Sequence, residues 1–406
     1  MRSGNIYHIV CYLLLVITLL WLDGCAPSRL TEEQRKIAWV DSTVNSLSLE
    51  EKLGQMFSSR AYGYYYSDQS EEFKRLERIV RDRKVGGLIF FQGDPYETAI
   101  MVNRMQQIAD VPLLISSDFE WGTAMRVRRA TRFPDAMAVG ATRDTALAFA
   151  MGKAIGEETR AIGVRQDYAP VADVNVNPNN PVINTRSFGE DPKLVADMAC
   201  AFTAGLQTAG VLATAKHFPG HGDTQTDSHL DLPLVYYSRP HLDSVELFPF
   251  RRLIDCGVSS VMVGHLEVPA LEDEQKLPAT LSPIIIDSVL KKQLGFGGLV
   301  VTDAMDMSAL VNYFGADSAA VKAVEAGIDV LLNVPEEERA IAAVVEAVRA
   351  GRISQYRIDQ SVRKILGYKW SLGLAENRFA DINNLPNVVG IPSHVLIAKR
   401  IVPKRP

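Results

Sequence analysis

The sequence predicts an α/β fold, a (β/α)8 TIM-type barrel with a short C-terminal tail. Three observations predict it. Eight short apolar runs recur along the chain, amphipathic stretches separate most of them, and charged or imidazole side chains sit at the C-terminal ends of four. Short runs that are apolar at nearly every position, introduced by Gly or Pro, are what parallel strands covered on both faces require. The 406 residues have room for one large barrel or for two to three ordinary domains. With 47% hydrophobic residues and a net charge of -5, the composition excludes disorder and a fibre and argues against nucleic acid as main partner.

Residues 1–24 read as a lipoprotein-type signal peptide. Arg2 supplies a positive charge, and the apolar run from Ile9 to Leu22 is short for a membrane span. Leu22 and Cys25 stand like the ends of a bacterial lipobox, so cleavage before Cys25 and lipidation of its thiol are expected. This tethers the chain to a membrane of the exported bacterial envelope, periplasmic or outer-membrane associated. Asp23 departs from that motif, and an ordinary cleaved signal or an uncleaved anchor is the competing reading. Cys200 and Cys256 then remain, each in an apolar helical stretch, and each is expected to be a small buried hydrophobe rather than half of a disulfide.

Residues 25–47 form a polar lead and a helix around Glu32–Leu47, and Ser48-Leu49-Glu50-Glu51 reads as the next helix start. The predicted strands are Gln55–Ser58, Gly87–Phe91, Leu113–Ser117, Gln166–Ala169, Ala213–Lys216, Ser260–Gly264, Leu299–Thr302 and Val330–Asn333. Helices are predicted over Glu71–Asp82, Thr98–Asp110, Thr145–Ile162, Pro192–Ala209, Ser244–Cys256, Pro283–Leu294 and Ala316–Ala326. Ala136–Ala141 competes as a ninth strand. The barrel is assigned to residues 48–375. Residues 376–406 form a tail in which Pro386, Pro392 and Pro403 break structure.

Asp118, Lys216-His217, His265 and Asp303 each end a different run. Barrel enzymes place their chemistry at that end, in the strand-to-helix loops. The densest stretch is KHFPGHGDTQTDSH, Lys216 to His229, which holds three of the seven His. Pro219, Gly220 and Gly222 make it a loop. A metal site of His217, His221 and His229 with Asp223 or Asp227 is one reading. The Pro-Gly between His217 and His221 removes the helical spacing that would aim both at one ion, so no metal is assigned. The other reading is acid-base work, with Asp227 orienting His229, an imidazole that exchanges protons near neutral pH.

KHFPGHGDTQTDSH resembles the motif of family 3 glycoside hydrolases, in the β-N-acetylhexosaminidase (β-N-acetylglucosaminidase) branch. DFEWGTAMR at Asp118–Arg126, NTRSFGEDP at Asn184–Pro192, MVGHLEVP at Met262–Pro269 and GLVVTDAMDM at Gly298–Met307 follow the family's order. The resemblance runs from about Ser48 to Leu374. It implies Asp303 as nucleophile, His229 as general acid/base with Asp227 as its partner, and Asp118, Arg126, Arg186, Lys216 and His217 as sugar contacts. It implies no cofactor, and it implies removal of terminal β-linked N-acetylglucosamine from peptidoglycan- or chitin-type saccharides with retention. The rival readings are a catalytically inactive glycan-binding lipoprotein of the same fold, a metal-dependent barrel hydrolase, and a phosphorolytic variant of the same chemistry. Trp121 and Thr123 depart from the family's Gly and Arg, and the indole is expected to pack rather than stack on sugar. Family members often continue into a second domain, and Ile391–Arg400 resembles its beginning.

Overall fold

The computed structural model describes residues 30–224 and 232–402. The signal segment with Cys25, together with Asp227 and His229, lies outside the described residues. Eight parallel strands, β1 (Phe57–Gly63), β2 (Gly87–Gly93), β3 (Leu114–Ser117), β4 (Gln166–Asp167), β5 (Leu212–Phe218), β6 (Ser260–Val263), β7 (Leu299–Thr302) and β8 (Leu331–Leu332), form one sheet. They run in the order β7-β6-β5-β4-β3-β2-β1-β8. A bridge between Val301 and Val330 brings the two edges together, with the Thr302 amide donating to the Val330 carbonyl at 3.0 Å. The result is a nearly closed (β/α)8 barrel, and each predicted run overlaps one strand.

The helices form where sequence signals place them. Ser48 and Glu51 make a reciprocal capping box, the Ser48 amide donating to Glu51 Oε2 at 2.8 Å. Helix Glu71–Arg81 buries Phe73, Leu76, Ile79 and Val80 on one face, with Glu71 and Glu72 in its first turn and Arg78 and Arg81 in its last. Inside the barrel, Gln166 Nε2 donates to Thr214 Oγ1 at 3.2 Å and to Ser260 Oγ at 3.3 Å, so β4, β5 and β6 share a polar layer below the mouth.

Three expectations are corrected. Ala136–Ala141 is a helix, not a strand. Its three alanines and Met137 have good helix propensity, and Gly140 lets it approach so closely that a Cβ there would lie 1.7 Å from the Phe188 carbonyl oxygen. Cys200 and Cys256 are joined in a disulfide with a Cα–Cα distance of 6.0 Å. They lie in successive barrel helices, Pro192–Thr208 and the C-terminal cap of Leu247–Asp255, which the fold sets side by side. Neither cysteine is fully buried.

The tail is structured as far as it is described. Ile382–Asn387 is a 3-10 turn, and helix Pro392–Ile401 docks on helix Thr145–Ala161. Pro392 starts this helix instead of breaking one, since the first turn has no use for its missing N–H. Buried His394 joins the two helices, with Nδ1 3.0 Å from Glu158 Oε1 and Nε2 3.1 Å from Glu157 Oε2. Glu158 also accepts from the Gly390 amide at 2.8 Å, and from the Thr131 amide and hydroxyl.

Two predictions follow from these links. The disulfide closes a loop with a sequence separation of 56, so Cys200→Ser/Cys256→Ser is expected to lose about 2–4 kcal/mol in urea unfolding. Burial alone would lower the His394 pKa, but the carboxylates of Glu158 and Glu157 hold it above its ordinary value. The docking energy is therefore fully present below about pH 6.5 and is lost as pH rises through the folded value. Hydrogen exchange across 390–401, corrected for intrinsic rates, should show more frequent opening on the alkaline side, and His394→Gln should remove that dependence.

Candidate active site

The site assembles where β3, β4, β5 and β7 end. The loop after β3 leaves on Asp118 and turns back so that the Phe133 amide donates to the Trp121 carbonyl at 2.9 Å. Gly122, at φ +115°, permits the turn, since a Cβ there would meet the Thr131 carbonyl oxygen at 2.4 Å. The Phe119 amide donates to Asp167 Oδ1 at 2.9 Å, fastening the loop to the end of β4.

Lys216, near the end of β5, is 2% exposed. A buried ammonium requires compensating charge. Its Nζ lies 2.8 Å from Asp118 Oδ1 and 2.7 Å from Glu120 Oε1. Arg186 forks onto the same Glu120, with Nη2 2.8 Å from Oε1 and Nε 2.9 Å from Oε2. Arg126 Nη2 reaches Asp118 Oδ2 at 3.3 Å. Burial opposes ionisation of Glu120, but Arg186 and Lys216 hold its pKa well below the carboxylate range.

A second cluster builds the loop after β5. The fully buried Asp173 accepts from the His217 amide at 3.1 Å and from the His221 amide at 2.8 Å, and its Oδ2 lies 2.7 Å from His217 Nδ1. The other ring nitrogen of His217 is 3.4 Å from Arg186 Nη2. Gly222 presses against this floor, where a Cβ would lie 1.7 Å from the Val174 carbonyl oxygen. His221 is buried and pushed down to about 4, chiefly by burial and then by His217, so it is neutral at physiological pH.

Asp303 follows β7 directly, its amide donating to the Val263 carbonyl at 2.9 Å. Burial raises its pKa, but His217, His265, the Ala304 amide and Lys216 together hold it below its ordinary value, so the carboxyl is ionised. His265 fixes the next peptide, with Nδ1 2.8 Å from Thr280 Oγ1 and Nε2 3.0 Å from the Ala304 carbonyl oxygen.

Asp118, Arg126, Arg186, Lys216, His217 and Asp303 all line one cleft of about 260 Å³. Its size is near the low end for small-molecule sites. Glu120 and His221 line the cleft as well, and the buried Asp173 supports it through His217; the sequence pointed to His221 only in the metal reading and gave Glu120 and Asp173 no role. The DFE spacing was the signal for Glu120, and Asp173 had no local signal. Trp121 does not line the cleft and instead faces the Arg132 guanidinium at 4.8 Å. Among the described residues, no group of three or more His, Cys, Asp or Glu is arranged to hold a metal ion.

A barrel with this cleft invites comparison with known proteins. The family model "Glycosyl hydrolase family 3 N terminal domain" matches residues 48–367. The chain belongs to glycosyl hydrolase family 3. It is 32% identical over 373 residues to a β-N-acetylglucosaminidase/β-glucosidase of Cellulomonas fimi, covering 90% of this chain and 65% of that protein. It is 33% identical over 351 residues to β-hexosaminidase A of Pseudoalteromonas piscicida, covering 79% of this chain and 58% of that protein. This family 3 chain therefore spans less than two thirds of the length of both curated relatives. The solved structure of a family 3 β-N-acetylglucosaminidase from Paenibacillus sp. str. FPU-7 superposes with a TM-score of 0.79 at 38% identity, covering 88% of this chain and 68% of that one.

Removing Glu120 would leave Arg186 and part of the Lys216 charge uncompensated in a buried site. Glu120→Ala is expected to destabilise the protein by about 3–5 kcal/mol in urea unfolding, whereas exposed Glu71→Ala should change it by less than about 1 kcal/mol.

Proposed function

We propose that the protein is a retaining exo-glycosidase that removes terminal β-linked N-acetylglucosamine from peptidoglycan- or chitin-type saccharides. The observation that carries this reading is the ionised Asp303 at one side of a small cleft whose other walls hold paired cations and carboxylates. Such walls suit a ring bearing several hydroxyl groups and an acetamide, each of which must be hydrogen-bonded when buried. The names of the relatives, β-N-acetylglucosaminidase and β-hexosaminidase, support the choice of sugar.

In this reading the Asp303 carboxylate attacks the anomeric carbon as the bond to the leaving oxygen breaks, and His229 gives that oxygen its proton. A covalent glycosyl-enzyme results. His229 then takes a proton from water, whose oxygen displaces Asp303 from the sugar, and two inversions give retention. Asp227 orients the imidazole. Asp118, Arg126, Arg186, Lys216 and His217 hold the sugar, and no cofactor takes part. We further propose that lipid on Cys25 tethers the chain in the bacterial envelope, where an oxidising compartment would support the Cys200–Cys256 bond.

Hydrolysis of a chromogenic β-N-acetylglucosaminide, with EDTA present and the β-glucoside alongside, tests the reaction. Asp303→Ala is expected to lower kcat by at least about 10³-fold while the protein stays folded. His229→Ala should lose less on this substrate, because a good leaving group needs little acid assistance, and more on an unactivated disaccharide. Folded wild-type protein that binds the sugar without turning it over would instead establish a glycan-binding protein.

A further inference from the structure

The cleft holds little more than one sugar ring, so the rest of a longer substrate must lie on the rim. One sector of that rim is aromatic. Phe91, at the end of β2, lines the cleft, and the Arg126 guanidinium sits 5.0 Å from its ring centroid. The Tyr62 ring, on β1, lies 6.3 Å from that of Phe91. The Tyr64 ring lies 6.4 Å further on, nearly parallel to that of Tyr62 with 12° between their planes. Residues two apart on an extended strand point the same way, which is how the YGY spacing makes this pair. Tyr64 is 38% exposed, so the row runs from the cleft wall into solvent.

The row has a polar border. Tyr62 also lines a neighbouring groove of about 560 Å³, whose other walls include Arg60, Asp306 and Asn333. Arg60 Nη1 lies 3.4 Å from Asp306 Oδ2 across it. An aromatic face beside charged and amide groups is amphipathic in the way a pyranose is. The sugar's C–H face lies against a π surface, and its equatorial hydroxyl and acetamido groups reach sideways for donors and acceptors. A protein partner is less well matched, because nothing joins such a surface to the cleft, whereas Phe91 belongs to both.

We propose that Phe91, Tyr62 and Tyr64 form a stacking platform for the sugar rings that follow the cleaved one, with Arg60, Asp306 and Asn333 as their polar border. This rests on the glycosidase reading above and deepens it. The substrate class is a β-linked saccharide of three or more rings rather than a disaccharide or a simple glycoside.

Two measurements test it together. The first is the ratio of kcat/KM for a β-1,4-linked N-acetylglucosamine tetrasaccharide to that for the chromogenic monosaccharide glycoside. In Tyr64→Ala the ratio should fall roughly 3- to 10-fold, and Tyr64→Phe should keep it. The second is calorimetric binding of the same tetrasaccharide in an Asp303→Asn background, where Kd should weaken by a similar factor. Unchanged tetrasaccharide binding in Tyr64→Ala overturns the platform. If the wild type turns over neither substrate while the binding difference persists, the glycosidase reading fails and the platform stands.

Discussion

The buried ammonium of Lys216 is the constraint on which the site depends. A lysine carried almost wholly out of water on a barrel strand must be met by negative charge, and the loop after β3 supplies it from Asp118 and Glu120. Glu120 in turn draws in Arg186 from the 3-10 turn Asn184–Arg186, and Asp118 draws in Arg126. Three segments that are distant in sequence are thereby fixed around one cleft. Lys216, Arg126 and Arg186 face Asp118, Glu120 and Asp303, so the charges balance. The cleft therefore offers directed hydrogen-bonding groups, with no net formal charge among these six side chains.

The frame of this arrangement was legible in the sequence because its signals are local. Buried parallel strands are short apolar runs, and residues at their C-terminal ends stand at the mouth, which is how Asp118, Lys216 and Asp303 came to be grouped. Ala136–Ala141 failed for a related reason: six apolar residues fit a buried strand and a short buried helix equally well by pattern. The disulfide was hidden because pairing depends on which helices the barrel sets side by side, and neither cysteine's neighbours carry that information. Asp173 was hidden more completely. Its work is to accept two backbone N–H groups and an imidazole, and those donors converge only after β4 and β5 are paired.

Glu158 shows how the far end of the chain bears on the same loop. It is a fully buried carboxylate on a barrel helix, and it divides its acceptors between Thr131, in the β3 loop, and Gly390 with His394, in the tail. Burial opposes its ionisation, yet His394, Thr131 and Gly390 pull its pKa below the ordinary value. The Thr131 carbonyl accepts from the Ala124 amide at 3.3 Å and lies against Gly122, so the residue that Glu158 holds also shapes the turn carrying Asp118 and Glu120. The tail thus supports the loop after β3 through one carboxylate.

Two of the strand-end aspartates at the barrel mouth, Asp167 and Asp303, shift in opposite directions, and the difference lies in what each faces. Asp167 is buried, and although the Phe119 amide and Lys216 favour its ionised form, Asp118 and Glu120 repel it, so its pKa is pushed up to about 8. Asp303 suffers comparable burial but faces His217, His265 and the Ala304 amide, and its pKa falls. Lys216 is close to both, but its charge is already engaged by Asp118 and Glu120. What separates the two is therefore that carboxylates face Asp167, whereas imidazoles and the Ala304 amide face Asp303. Near neutral pH the carboxyl that holds the loop keeps its proton, and the one open to the cleft is bare. A nucleophile must be the second kind, which fits the role proposed for Asp303 and not Asp167.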